Sequence, residues 1–196
     1  MSKPLSLKSQ AINLQNLIAR VEFTDANGNL LNEEIGVKNA TNILKTSKEH
    51  STSVFMIGNG GSAAVVSHIL TDFINVAGLR ASTLHESSLI TCMANDYGYE
   101  QWVAKALNYY ADPGDTVILI SSSGESKNML IGAEKAKSIN CDVITLSGFS
   151  SGNQLKKLGK INLWVDSEKY NVIEMVHHIW LLSVVDYIIE NNKGKL

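Results

Sequence analysis

The stretch SVFMIGNGGS at Ser53–Ser62 decides the fold class of this chain. It begins as a run of apolar, β-forming residues and ends in glycines, a pattern typical of a short strand that is buried on both faces. Helical character follows directly, up to about Phe73. A buried strand that leads into a helix is the repeating unit of a parallel α/β sheet.

Three more runs of the same kind follow, at Thr116–Ile120, Asp142–Leu146 and Ile161–Val165. Helical segments separate most of them, such as the one at 127–139. Strands that alternate with helices predict an α/β fold. We therefore expect a three-layer αβα sandwich, in which an open parallel sheet lies between two layers of helices.

The N-terminal part of the chain has a different pattern. Two helices are predicted, at about Pro4 to Val21 and Asn32 to Lys48, and Thr24–Asn29 is interpreted as a plain turn, since its spacing does not fit a calcium loop. No repeat or linker indicates a second domain. We expect one domain over 1–196, with an N-terminal helical segment at 1–50 and an α/β core at 51–196.

The last predicted helix, at about 171–190, is apolar around nearly its whole circumference. Such a helix is buried, either in the core or against another subunit. A domain of 196 residues has little room for a fully internal helix. The pattern therefore favours a subunit interface in a symmetric homo-oligomer.

Composition limits the classes of function. Hydrophobic residues make up 44% of the chain and the formal net charge is −2, which indicates a folded domain without a bulk charge that would favour nucleic acid or a membrane surface. The first residues lack the apolar core of a signal peptide, and no apolar run is long enough to predict a membrane span. We expect a cytoplasmic protein.

Two loops carry the clearest functional signal. Gly58–Ser62 and Ser121–Ser126 each follow a predicted strand and open a helix. Such a junction directs free backbone N–H groups and the helix dipole at one point, glycine permits close approach, and serine adds hydroxyl donors. Glycine and serine also form ordinary turns, but two such junctions at one sheet edge favour a phosphate site. Neither loop has a P-loop lysine, which favours a phosphomonoester over a nucleotide cofactor.

Two pairs of acid/base side chains are spaced four residues apart. His68 and Asp72 lie on the helix after the first loop, and Glu174 and His178 lie on the last helix, so each pair shares one helix face. If the helices meet, these side chains could bind a metal or move protons between two carbons of a sugar. Alternatively, Glu174 forms a structural hydrogen-bonded pair with His177 or His178.

Four further reactive side chains lie outside these patterns. Cys92 and Cys141 have no metal-type spacing and are expected to be buried thiols in a reducing compartment. His85 and Glu86 lie in a predicted loop and either touch the ligand or are solvated.

With the stretch ANDYGY at Ala94–Tyr99, the two loops resemble the SIS (sugar isomerase) family, and in particular its phosphoheptose isomerase branch. That branch carries GNGGS, STSGNS-type and GNDFGF-type sequences at these places, and the similarity runs in order from about Val54 to Glu190. The resemblance implies the SIS fold with a five-stranded parallel sheet, a phosphorylated sugar as ligand, and a homotetramer with active sites between subunits.

The resemblance also implies roles for individual residues. Asp72 stands at the family's principal acid/base Glu and would be the base, while Leu182 stands where the branch has a final His, so His178 is the expected catalytic partner. As in some members, His68, Asp72, Glu174 and His178 could bind zinc. Glu174 stands at a family Gln. Substrate-binding residues are expected to be Asn59, Gly60, Gly61, Ser62, Asn95, Asp96, Ser121, Ser122, Ser123, Ser126 and Glu174.

Two functions are consistent with this set. The first is an aldose–ketose isomerase that converts sedoheptulose 7-phosphate to D-glycero-D-manno-heptose 7-phosphate, or a related isomerase that acts on a different phosphosugar. The second is a non-catalytic phosphosugar-binding regulatory protein similar to the DnaA initiator-associating branch, which also lacks the final His.

Overall fold

A computed structural model describes residues 6–193, so Pro4 and Leu5 of the first predicted helix lie outside the described residues. Seven helices, seven strands and one short 3-10 helix at Leu155–Lys157 are present in this range. In chain order they are α1 (Leu7–Ile18), β1 (Glu22–Asp25), β2 (Leu30–Leu31), α2 (Glu33–His50), β3 (Ser53–Gly58), α3 (Gly60–Asn75), β4 (Arg80–Ser82), α4 (Ser87–Tyr97), α5 (Trp102–Tyr110), β5 (Thr116–Ser121), α6 (Lys127–Ser138), β6 (Asp142–Ser147), β7 (Ile161–Trp164) and α7 (Tyr170–Lys193).

The strands form one sheet in the order β2-β1-β7-β6-β5-β3-β4. The five strands from β7 to β4 are parallel, which confirms the predicted parallel core. The sheet has seven strands rather than five, because β1 pairs antiparallel with β7 and β2 pairs antiparallel with β1. The N-terminal segment is therefore helical only in part.

The hairpin between β1 and β2 is built on the predicted turn. The Asp25 carboxylate accepts the backbone N–H groups of Asn27 and Asn29 at 2.8 and 2.9 Å, and Gly28 adopts φ of +80°. These bonds occupy Asp25 within its own turn, as in an Asx-turn. The turn interpretation is thus confirmed.

Helices cover both faces of the sheet. Along β5, Ile118 and Ile120 join one core cluster with α2, α3 and α7, whereas Val117 and Leu119 join the other with α5 and α6. Successive residues of a strand point to opposite faces, so a strand buried on both faces must be apolar throughout. The predicted three-layer αβα sandwich is confirmed.

About half of helix α7 is buried within its own domain, so much of its apolar surface is covered without a partner subunit, and the expected subunit interface stays a prediction. The helix packs against α3, α2 and α1. Its length and composition would allow it to span a membrane, and half of that apolar stretch is buried in the domain. Met175 and Ile179 remain 51% and 39% exposed. The buried residues of α7 are Val172, Ile173, Val176, His177, Trp180, Leu181, Val184, Val185 and Ile188.

The two cysteines have different environments. Cys141 is buried, and burial, with nearby carboxylates such as Asp115, raises the pKa of its thiol to about 11. Cys92 is exposed on α4, so the prediction of two buried thiols is wrong for this residue.

Candidate functional site

The two predicted loops lie side by side at the carboxyl edge of the sheet. This follows from the parallel pairing of β3 with β5, in which Gly58 is opposite Ile120. Between the loops lies a cavity of about 280 Å³. The residues that line it are Asn59, Gly60, Gly61, Ser62, Ile120, Ser121, Ser122, Ser123, Ser126, Tyr170 and Glu174.

The cavity has several uncommitted hydrogen-bonding groups. The N-cap residues Asn59 of α3 and Ser126 of α6 make no side-chain cap bond to their own helices, which leaves first-turn N–H groups for a ligand. The Ser121 hydroxyl donates to Ser126 at 3.0 Å. The Ser122 hydroxyl is buried and has no partner within the described part of the chain. An unpaired buried hydroxyl is costly, so a ligand oxygen is its natural partner.

Asn59 connects the two loops. Its side-chain amide forms reciprocal hydrogen bonds with Asn128 on α6, at 2.9 and 3.0 Å, and its Oδ1 also accepts from the Tyr99 hydroxyl at 3.1 Å. These bonds use the Asn59 side chain for positioning, so its contribution to the site is to hold the loops together. The sequence did not single out Asn128, and Tyr99 entered only as the last residue of the ANDYGY stretch.

The side chain of Asn153 packs against Gly124 of the second loop. This buried amide donates to the Ser147 hydroxyl and to the Gly148 and Ser150 carbonyls at 3.1, 3.2 and 2.9 Å. Gly124 lies directly over it with φ of +68°, and a Cβ at that position would overlap the Asn153 side chain. The loop conformation therefore requires glycine at 124.

We expect Gly124→Ala to destabilise the protein by about 2 kcal/mol or more, because it adds both left-handed backbone strain and a steric overlap. Phosphosugar affinity should fall at least about tenfold, since a change of about 1.4 kcal/mol in binding is tenfold. Chemical denaturation and calorimetric titration measure the two effects. Gly152→Ala is the matched control, because its Cβ would meet only the Ser150 hydroxyl at an ordinary 3.8 Å. Equal losses in both variants would contradict this role for Gly124.

Glu174 brings a carboxylate to the mouth of the first loop. A Cβ on Gly61 would overlap both carboxylate oxygens of Glu174, so the carboxylate lies directly against the first turn of α3. Burial raises the pKa of Glu174 above its ordinary value.

Helices α3 and α7 meet at the predicted histidines. The rings of His68 and His178 are in edge-to-face contact, with centroids 4.5 Å apart and planes at 85°. Burial and the charge of His68 lower the pKa of His178, and Asp72 opposes this shift. The Nε2 atom of His178 is buried without a partner in the described part of the chain. Asp72, His68 and His178 therefore lie close enough for the charges of the first two to act on the third.

The four residues predicted as zinc ligands do not converge within one protomer. Among residues 6–193, no group of three or more His, Cys, Asp or Glu side chains is arranged to hold a metal ion. Glu174 lies at Gly61, whereas His68 is seven residues further along α3, a rise of roughly 10 Å. The residues present do not fit a metal in this arrangement, and we derive no step through one.

Several predicted residues lie outside the cavity. Asp72 and His178 do not line it, and Asn95 and Asp96 are exposed on α4, where the Asn95 amide donates to Asp96 at 3.0 Å. The expected contacts of Asn95 and Asp96 with the ligand are therefore absent from this cavity in a single protomer.

The remaining histidines have structural contacts. His177 is fully buried and its Nε2 is 3.1 Å from the Ser147 carbonyl, so the proposed pair with Glu174 is not formed. His85 is half-buried, and its Nε2 accepts the Gly58 N–H at 3.3 Å, which ties it to the first loop. Glu86 caps α4 through the Leu89 N–H. Glu86 is exposed, as in the solvated interpretation, whereas His85 is half-buried against the first loop.

Comparison with known proteins identifies the family of this chain. The family profile described as the SIS domain matches residues 27–148. The phosphoheptose isomerase of Mycobacterium tuberculosis is 35% identical over 141 residues, which cover 69% of this chain and 71% of that protein. The phosphoheptose isomerase of Helicobacter pylori is 32% identical over 158 residues, with 78% and 82% covered.

A solved structure shows the same fold. The phosphoheptose isomerase from Francisella tularensis superposes with a TM-score of 0.78 at 23% identity, covering 93% of this chain and 94% of that one. At this identity the likeness establishes the fold, and the sequence relatives establish the family. This chain belongs to the SIS domain family and, within it, to the phosphoheptose isomerase branch.

Proposed function

We propose that this protein is an aldose–ketose isomerase that converts sedoheptulose 7-phosphate to D-glycero-D-manno-heptose 7-phosphate. The observation that carries the proposal is the convergence of two serine- and glycine-rich loops on one cavity, with the unpaired Ser122 hydroxyl in its wall. Relatives that are 35% and 32% identical to this chain are named phosphoheptose isomerases. The phosphate of the sugar would bind in the cavity.

The direction of α3 supports a long substrate. From Ser62 the helix rises roughly 9 Å to His68 and 15 Å to Asp72. An extended seven-carbon chain spans roughly 8 Å, given bonds of about 1.5 Å. A phosphate held at the loops would therefore let the far end of the sugar reach the neighbourhood of His68 and His178. The Asp72 side chain can act there because helical side chains point back towards the N-terminus, over the preceding turn that carries His68.

The reaction moves protons without an external oxidant. A base removes a proton from C1 of the ketose while an acid protonates O2, which gives an enediol. Return of the carbon proton to C2 and removal of the proton from O1 gives the aldose. We assign the carbon proton to Asp72, with His178 as its partner, because these groups interact across α3 and α7.

The wider assignments follow from the same proposal. The chain would act as one SIS domain over 1–196 in the cytoplasm, without nucleic acid or membrane partners. A homotetramer is supported by the exposed Met175 and Ile179, and a neighbouring protomer could bring Asn95 and Asp96 to a complete site. Light scattering after size-exclusion chromatography measures the assembly.

The test is turnover of sedoheptulose 7-phosphate by the purified protein, followed by NMR with and without added zinc. We expect an aldose product. Binding of the sugar phosphate without product would instead support the regulatory binding protein, a function favoured by the apolar Leu182 one turn beyond His178. A requirement for zinc would indicate that a second protomer completes a metal site.

A further inference from the structure

Tyr170 is an aromatic residue of the cavity that the sequence did not single out. It is the first residue of α7, and it lines the cavity together with the two loops. The residue is 58% exposed, and its hydroxyl has no hydrogen-bond partner among residues 6–193. The cavity therefore has an uncharged donor that is available to a ligand oxygen.

Phe149 holds the ring of Tyr170. The two ring centroids are 4.9 Å apart and the planes are at 58°, which is a favourable arrangement for an aromatic pair. Phe149 follows β6 and lies beside the second loop at the sheet edge, because Ser147 of β6 is opposite Ser121 of β5. Phe149 also packs against the hydrophobic core, so its ring is a fixed support for Tyr170.

The backbone of Phe149 is strained. Its φ is +54°, in the left-handed region that a bulky residue seldom adopts. The Phe149 N–H donates to the Ser167 carbonyl at 2.8 Å, which ties this segment to the loop before α7. Strained residues persist where their surroundings impose the conformation, and they cluster at ligand sites. Here the strained residue is the one that supports an aromatic side chain of the cavity.

The order of residues along α7 indicates which part of a ligand Tyr170 meets. Tyr170, Glu174 and His178 are spaced four residues apart, so they share one helix face at intervals of roughly 6 Å. In the proposed function, the sugar runs from the loops towards His178. Tyr170 lies in the opposite direction from Glu174, and it is therefore closer to the phosphate than to the reacting carbons.

We propose that Tyr170 is a binding residue whose hydroxyl donates a hydrogen bond to the phosphate of the substrate, and that Phe149 is the positioning residue that holds it there. The identity of the ligand in this inference rests on the proposed function. The start of α7 becomes a third element of the phosphate site, beside the two loops. Because the phosphate does not change during isomerisation, this bond stabilises substrate and transition state equally.

Tyr170→Phe tests the hydroxyl alone, because it keeps the ring of an exposed residue. Affinity for inorganic phosphate, measured by phosphorus NMR, and for sedoheptulose 7-phosphate, measured by calorimetry, should each fall about 10- to 100-fold, since a hydrogen bond to a charged group is lost. KM should rise while kcat is unchanged. Tyr109→Phe makes the same change at an exposed tyrosine of α5 and should keep wild-type affinity and KM.

A double-mutant cycle tests Phe149. Phe149→Leu keeps an apolar side chain against the core but removes the ring, so affinity for phosphate should fall about two- to tenfold, the contribution of one aromatic pair. In a Tyr170→Ala background, Phe149→Leu should cause no further loss, because the residue that it positions is absent. Urea denaturation of each variant checks that the fold is kept.

The outcomes separate this inference from the proposed function. If the wild type binds phosphate and Tyr170→Phe binds it equally well, or if kcat falls instead of KM rising, the inference is wrong and the proposed function stands. Additive losses from Phe149→Leu and Tyr170→Ala would overturn the positioning role of Phe149. Absence of turnover in a wild type that binds phosphate would overturn the proposed isomerase, while the affinity of Tyr170→Phe still decides this inference.

Discussion

The Asp72→Asn variant should bind sedoheptulose 7-phosphate normally and turn it over about 100- to 10,000-fold more slowly than the wild type. Asparagine keeps the size and polarity of aspartate but cannot accept the carbon proton. Binding should survive because Asp72 does not line the phosphate cavity. Steady-state kinetics by NMR gives the loss in kcat, and calorimetric titration gives the affinity.

An exposed aspartate on α7 provides the control. Asp186→Asn makes the same change at a site without a place in the proposed reaction, and it should have wild-type kinetics. If Asp72→Asn also turns over at the wild-type rate, the carbon proton is moved by another group, and His178 becomes the first alternative. If affinity falls together with kcat, Asp72 has a part in binding that the cavity does not indicate.

The parts of the fold that were predicted correctly are the strands whose own sequence shows that they are buried on both faces. Strands β3, β5, β6 and β7 were predicted almost to the residue because strands buried on both faces are continuously apolar. The short strands β1, β2 and β4 have few such residues, since they lie at or towards the edges of the sheet. Their pairing depends on neighbours rather than on their own pattern, so the sequence alone did not reveal them.

The candidate site was likewise predicted only where a local sequence pattern marked it. Glycine and serine at two strand–helix junctions predicted that the two loops would lie together, and the four-residue spacing predicted that each His shares a helix face with its carboxylate. The spacing did not predict that His68 and His178 would meet. The pairing of Asn59 with Asn128 joins residues 69 positions apart, and no local pattern marks it. The contact of Glu174 with Gly61 depends on how far α7 is shifted along α3, which helical periodicity does not specify.

Leu182 stands where the family motif has a histidine, and its packing shows how this chain uses the position. The resemblance places a final His at this position, where a polar ring would be needed for proton transfer. In this chain Leu182 packs against the core cluster that contains Val176 and Val185. The position is used for apolar packing, and we propose His178, one turn earlier on the same helix, as the partner of Asp72.

His177 should make the protein sensitive to mild acid. The ring is fully buried, and burial lowers the pKa of His177 from 6.5 to about 4, despite its hydrogen bond to the Ser147 carbonyl. Between pH 6.5 and 4 the unfolded chain therefore binds a proton that the folded protein does not. The stabilisation is complete above pH 6.5 and is lost as the pH falls towards 4, by about 3 kcal/mol at 1.36 kcal/mol per pKa unit.

Denaturation by urea at several pH values measures this loss. His177→Gln should be less stable at pH 7, because it changes a packed and hydrogen-bonded ring, but its free energy of unfolding should fall less steeply between pH 6.5 and 4. Burial also lowers the pKa of His85 and His178, so some slope will remain. His50→Gln, at an exposed position, should keep the wild-type slope. If the free energy of unfolding of His177→Gln falls with pH as steeply as that of the wild type, His177 is not the group that senses acid. The buried ring would then be protonated in the folded protein, or would be solvated before the protein unfolds.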